Sequence, residues 1–314
     1  MEESALSTSL AAAGIRFIRI LWCDNANVIR GKAVHVGALP RFQEHGVGIS
    51  VEQFYPESGP GQYEISTGYT QALAAADRQI AFRETVHAVA PRHGFEASFL
   101  PKIFSDKAGS GCHLHLSLWR NGENLVPGPA NEHGLSKVAR AFIAGILDHL
   151  PALMAPTTPS PNSYRRIAPH CWSGAFRAWG LDNREAAVRV PTNPARAGTT
   201  NFELKTADAS ANPYLALGAT IAAGMDGVRR GLNLGEPVDV DPGCLPEAER
   251  SKRGVDPLPA NLGGAIDHLS RDQTLLNALG TELAQAYLAV RKAEWEALKG
   301  MDLEQEVNLL RGRY

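Results

Sequence analysis

Residues 162–214 run NSYRRIAPHCWSGAFRAWGLDNREAAVRVP and then, after a short loop, NFELKTADASANPY. This stretch constrains the fold more than any other. It threads six arginines (Arg165, Arg166, Arg177, Arg184, Arg189, Arg196) and one lysine, Lys205, through glycines, prolines, asparagines and aromatics. AAVRVP and NFELK read as strands, in which period-2 alternation points Val188 and Val190 to one face and Arg189 to the other. Arginines aimed from strands into one space suit a polyanion, because planar guanidinium forks grip phosphate and carboxylate oxygens in pairs. An ordinary solvated face seldom carries so many arginines with so few lysines.

The rest of the composition narrows the function classes. At 314 residues, 44% hydrophobic and 20% charged, the chain has room for a large core and two domains. A net charge of −2 argues against nucleic acid as the main partner. No apolar run approaches the roughly 20 residues of a membrane span, so no membrane partner is expected. The start, MEESALSTSLAAAG, carries two acids where a signal peptide would be positive, so a cytoplasmic protein is expected. Cys23, Cys112, Cys171 and Cys244 lie far apart without CxxC spacing and read as reduced thiols.

Taken in order, residues 15–36 alternate as IRFIRILW and VIRGKAVHV around CDNAN, which predicts a hairpin. Glu57 and Glu64 flank a Pro-Gly turn, where they are either plain turn acids or oxygen ligands for a hard divalent cation. Residues 72–90 predict an amphipathic helix with Leu73, Ala76, Ile80, Val86 and Val89 on one side, closed by Pro91. ASFLPKIFSDKAGSGCHLHLSLW predicts a strand, a Gly-Ser loop and a second strand. That second strand sets His113, His115 and Ser117 on one face, a half-buried polar stripe or a site. A helix over 135–150 is expected to end before Pro151, with residues 156–161 a rigid lead-in to the arginine-rich segment. Beyond Tyr214 the chain reads as helical. A long helix over 272–299 carries Leu276, Leu279, Leu283, Ala286 and Val290 as an apolar stripe, a polar proline-rich loop over 237–259 precedes it, and EQEVNLLRGR closes the chain.

NSYRR, DNREAAVRVP, the FELK element and SANPYLALGATIAAGMDG together resemble the glutamine synthetase family, most closely its gamma-glutamyl-amide-forming branch. The resemblance implies an α+β fold: a short N-terminal β-grasp piece (1–48), then a catalytic domain (49–314) with a curved antiparallel sheet backed by helices. It implies a homo-oligomer of rings with sites between neighbours, acting on glutamate and on ammonia or a primary amine. It also implies ATP and Mg²⁺ or Mn²⁺. Asp24 then falls where the family handles ammonium, although a turn aspartate there is equally consistent. Glu57 and Glu64 fall at the first metal site, and His113 and Glu203 at the second. His115 and Ser117 face the nucleotide, while Arg184 and Arg189 take its phosphates. Arg166 takes a carboxylate or phosphate of the substrate, and Gly109 lies in the loop that approaches glutamate, with Ala108 where the family commonly has Asn.

Three departures stand beside this resemblance. Lys205 replaces a substrate-binding arginine, so a bidentate fork becomes a point charge. Trp172 stands near the place of the flap glutamate that takes a proton from ammonium; an indole cannot act as that base but can line a pocket for a larger amine. The strand carrying two metal-binding glutamates one residue apart is missing, since GALPRFQEHGVGIS runs almost directly into VEQFYPESGPGQYEI. Glu44 and Glu52 are too far apart to replace that pair. Two readings stay open: a working gamma-glutamyl-amide ligase, or a weak or inactive relative that binds nucleotide or acts through assembly.

Overall fold

The computed structural model describes residues 12–14, 17–23, 29–35, 62–192 and 199–314. Asp24, Glu44, Glu52, Glu57 and Arg196 lie outside the described residues. The chain divides into two compact units, Met1–Tyr63 and Glu64–Tyr314. In the first, β1 (Phe17–Cys23) pairs antiparallel with β2 (Ile29–His35) in the register Phe17↔His35 to Cys23↔Ile29, the hairpin that the alternation predicts.

The second unit opens with α1 (Ala72–Val89), then β3 (Leu114–Leu116) and a small ribbon of β4 (Trp119–Arg120) and β5 (Glu123–Asn124). Next come α2 (Lys137–Thr157), the single turn α3 (Ser163–Arg166), β6 (Phe176–Leu181), β7 (Ala186–Val190) and β8 (Phe202–Leu204). Helices α4 (Pro213–Arg230), α5 (Glu247–Lys252), α6 (Leu262–Leu269), α7 (Gln273–Leu279), α8 (Thr281–Leu298) and α9 (Leu303–Leu310) complete it. The central sheet has the order β3-β8-β7-β6. It is mixed rather than antiparallel, because β6 runs parallel to β7.

The sheet buries one face against α2 and α4. Val188 pairs with Leu204 across β7 and β8, and both are fully buried, as are Phe202, Ile143, Ile146, Leu150 and Leu153. Withdrawing each such side chain from water contributes about 1.5–3 kcal/mol. Helices α2 and α4 meet through glycines. A Cβ on Gly145 would stand 2.3 Å from the Ala223 carbonyl oxygen, and one on Gly224 2.2 Å from the Phe142 ring. Ser136 caps α2 by accepting from the Ala139 N–H, and Asn212 caps α4 by accepting from the Tyr214 and Leu215 N–H groups. The opposite side of β7 and β8 carries Arg189 and Glu203, which pair across the ladder.

Several sequence expectations need correction. Helix α2 runs straight through Pro151 to Thr157, because Ala152, Leu153, Met154 and Ala155 are all buried and offset the roughly 3 kcal/mol of an interior proline. It is long and apolar enough to cross a membrane, yet 72% of its most apolar window is buried within the protein, as for a core helix. Only Ala76 of α1 is buried, whereas Leu73, Ile80 and Val89 are exposed. The expected first strand before Gly109 is coil. Residues 237–259 hold α5 as well as loop. The expected helix over 272–299 is two, broken at Gly280, where φ is +79°. The break turns Leu283 and Val290 outward and Ala284, Arg291 and Leu298 inward.

Candidate active site

Five elements bring the polar groups together: the loop before β3, β3 itself, the turn α3, and strands β7 and β8. Antiparallel register puts His115 opposite Glu203 and Glu203 opposite Arg189, so all three share one sheet face. Glu203 is 2% exposed and both of its oxygens are engaged. His113 Nδ1 lies 2.7 Å from Oε1, Arg189 Nε donates to Oε2 at 2.5 Å, and His115 Nε2 stands 3.7 Å from Oε1. Burial pushes the Glu203 carboxyl up. The His113 hydrogen bond, with the charges of Lys205 and Arg189, outweighs it and holds the group well below the usual carboxylate range. Desolvation lowers His113 against that same hydrogen bond, which favours the neutral imidazole. An ionised carboxylate beside a neutral imidazole is a donor set that fits a divalent cation such as Mg²⁺ or Mn²⁺, which would replace the proton the two share.

Behind this pair sits Arg166, 5% exposed, whose Nη2 donates to the carbonyls of Lys205 and Ala207. Asp208, also buried, lies near enough to act on it electrostatically, and burial pushes the Asp208 carboxyl up. Gly109 is there for space: a Cβ would meet Arg166 Cγ at 2.4 Å and the Pro101 carbonyl oxygen at 2.6 Å. The whole segment is clamped from the far end of the chain. Glu306 on α9, 2% exposed, accepts from Arg165 Nε at 2.7 Å and from Asn162 Nδ2 at 3.1 Å.

The remaining expected residues are placed less centrally. His115 bonds Asn201 at 3.1 Å, and Ser117 Oγ accepts from Trp119 Nε1 at 2.8 Å. Arg184 is half-buried in the turn between β6 and β7. Lys205 is 3% exposed and continues the Glu203 face of β8, its N–H donating to the Ala187 carbonyl at 2.9 Å. Glu64 is exposed in the coil before α1, with no hydrogen bond or ion pair to His113 or Glu203 among the described residues.

Sequence reasoning missed Glu185. The residue is 7% exposed and its carboxylate accepts from the Trp172 N–H at 2.8 Å, which fastens residues 169–174 to the turn before β7. Trp172 is half-buried with φ +51°. Gly174 follows at φ +76°, and a Cβ there would stand 2.7 Å from Ala187 Cα, so the segment lies directly on β7. On its outer side His170 pairs with Asp241 at 2.5 Å, and the Cys244 thiol lies within 4.8 Å of both. The Cys112 thiol is pushed up to about 11 by burial and by the Asp208 charge. No motif announces Glu185, because its burial comes from a segment that folds over it.

Residues 41–309 match the profile of "Glutamine synthetase, catalytic domain". The Gamma-glutamylpolyamine synthetase GlnA3 of Streptomyces coelicolor is 44% identical over 85% of this chain and 58% of its own length. Type-1 glutamine synthetase 1 of Dictyostelium discoideum is 39% identical over 83% of this chain and 51% of its own. The chain thus spans little more than half the length of these curated relatives. A solved structure described as a novel glutamine synthase homolog aligns at a TM-score of 0.67 and 35% identity, over 77% of this chain and 54% of the other. A GmaS/ADP complex shares the fold at a TM-score of 0.68 and 24% identity, over 98% of this chain and 99% of that one. With its catalytic-domain profile matched over 41–309, the chain belongs to the glutamine synthetase family.

Proposed function

We propose that the chain carries the catalytic domain of an ATP-dependent ligase that joins the γ-carboxylate of glutamate to a primary amine or ammonia. The observation that carries this reading is the single sheet face holding Arg189, Glu203 and Lys205 beside His113, with Arg166 behind it. In this reading a γ-carboxylate oxygen attacks the terminal phosphoryl group of ATP and ADP departs. The amine nitrogen then attacks the γ-carbonyl and phosphate leaves. Arg184 and Arg189 hold the ATP phosphates with His115 and Ser117 at the nucleotide, Arg166, Lys205 and Gly109 receive glutamate, and Trp172 faces the amine. His113 and Glu203 would hold one divalent cation, and Glu57 and Glu64 another; such cations offset charge on the transferring phosphoryl group. Asp24 is proposed, from the family resemblance alone, to handle the acceptor's ammonium group. The exposed apolar residues Leu73, Ile80, Val89 and Phe95 support a homo-oligomer that covers them.

An organic amine is favoured over ammonia, because the Trp172 indole offers an apolar wall for an alkyl group and because a 44% identical relative is named for a polyamine. The test is phosphate release by the purified chain with glutamate, ATP, Mg²⁺ or Mn²⁺ and a panel of acceptors. A primary alkylamine or polyamine is expected to outperform ammonia; ammonia outperforming every organic amine would sink this specificity. The second reading, nucleotide binding with little turnover, is supported by the missing Glu-x-Glu strand and by the engagement of both Glu203 oxygens. It predicts calorimetric ATP binding with turnover well below roughly 1 per second.

A further inference from the structure

A buried carboxylate on the site face of a sheet needs a cation, a proton or several donors, because a bare charge there is strongly destabilising. Glu185 is such a group. It sits one step before β7, and Ala187 and Arg189 follow it at the two-residue period, so it continues the face that carries Arg189, Glu203 and Lys205. Its position under residues 169–174 is fixed twice, by the Trp172 N–H at 2.8 Å and by the close approach of Gly174 to Ala187. The charged groups around it are Lys205 from β8, and His170 and Asp241 from the covering side, with Arg184 beside it in sequence. Burial, with the Asp241 charge, pushes the Glu185 carboxyl up against the Trp172 N–H, Lys205 and His170.

We infer that Glu185 binds the protonated acceptor amine and takes its proton, so that the substrate is a cationic primary amine and Glu185 is its base. This rests on the ligase reading above. The alkylammonium R–NH₃⁺ gives one proton to the Glu185 carboxylate and becomes R–NH₂. Its lone pair forms the C–N bond at the γ-carbonyl while the C–O bond to phosphate breaks. The phosphate departs with that electron pair and accepts the second N–H proton. Trp172 walls the alkyl part, and its own N–H keeps Glu185 aimed at the site.

The experiment compares the wild-type chain with Glu185→Gln and Glu185→Asp, using glutamate, ATP and Mn²⁺ with a primary diamine or with hydroxylamine. Hydroxylamine is neutral at the assay pH and needs no base. Glu185→Gln is expected to cut kcat/KM for the diamine by roughly 10²-fold or more, to remove the acid limb of the pH profile, and to cut the hydroxylamine reaction far less. Glu185→Asp, checked for folding by thermal melting, keeps the fold and is expected to lose on the order of 10²-fold with the diamine alone, as for a group misplaced by about 1 Å. Equal losses with both acceptors, or none with the diamine, overturn the inference. A wild-type chain that turns over neither acceptor overturns the ligase reading instead. Calorimetry of the diamine with ATP present then decides recognition: binding lost in Glu185→Gln supports the carboxylate's role, and no binding by wild type overturns it.

Discussion

Arg189 Nε donates to Glu203 Oε2 at 2.5 Å across the β7–β8 ladder, so a phosphate-binding candidate and a metal-binding candidate are joined before any ligand arrives. Replacing Arg189 by Ala therefore has two effects of opposite sign. ATP binding is expected to weaken about tenfold or more, the size of a lost charge-assisted hydrogen bond. Mn²⁺ binding without nucleotide is expected to hold or tighten, because the competing guanidinium is gone. Calorimetry of each ligand separates the two. Weaker Mn²⁺ binding would show that Arg189 orients Glu203 rather than competing for it.

Gly109→Ala is expected to cost about 1–3 kcal/mol, the usual penalty of overpacking. The added methyl meets Arg166 Cγ and the Pro101 carbonyl, and neither belongs to a free side-chain end. Gly218→Ala in α4 meets nothing within 4 Å and is expected to stabilise by about 0.5–1 kcal/mol through helix propensity. Denaturant melts of the two variants give the comparison, and a neutral Gly109→Ala would mean the loop can lift off Arg166.

Stability should fall as the pH rises above about 6.5, the ordinary histidine value. His149 of α2 lies 2.6 Å from Asp272 and 3.1 Å from Asp226, and the Asp272 hydrogen bond, ahead of opposing burial, raises its pKa. A histidine raised on folding contributes stability fully below its unfolded pKa of about 6.5 and loses it as pH climbs through the folded value. Melting temperatures of wild type should decline over that window, and His149→Gln should flatten the decline. An unchanged slope in His149→Gln would place the titration elsewhere.

These contacts mark what the sequence can and cannot display. Arg189 between Val188 and Val190 is legible, because a period of two is local and the buried valines enforce it. Helix α2 beyond Pro151 is not, because local propensity says stop while the burial of Leu153 and Met154 says continue. The outward turn of Leu283 and Val290 is set by the break at Gly280, which a 3.6-residue count passes over. Glu185 shows the limit most clearly: it reads as a turn acid, and only the distant Trp172 and Gly174 make it a buried one.

Glu306→Ala should cost about 2–3 kcal/mol, since charge-assisted bonds to Arg165 are lost and the Asn162 amide loses an acceptor. Glutamate-dependent turnover should fall with it, because Arg166 follows Arg165 directly. Urea melts and the amine assay together check this, and a stable variant with full activity would free the site from the clamp.

That clamp also sets an order of events during synthesis. Asn162 and Arg165 leave the ribosome about 140 residues before Glu306, which is the separation of 141 positions between Arg165 and its partner. At roughly 5–20 residues per second the arginine-rich turn waits for at least several seconds without the carboxylate that holds it. A nascent chain can lay down α2 and the sheet in that time, yet Arg165 lacks its acidic partner until α9 emerges. Fastening of the α3 turn is thereby timed late, after the core that carries it is already in place.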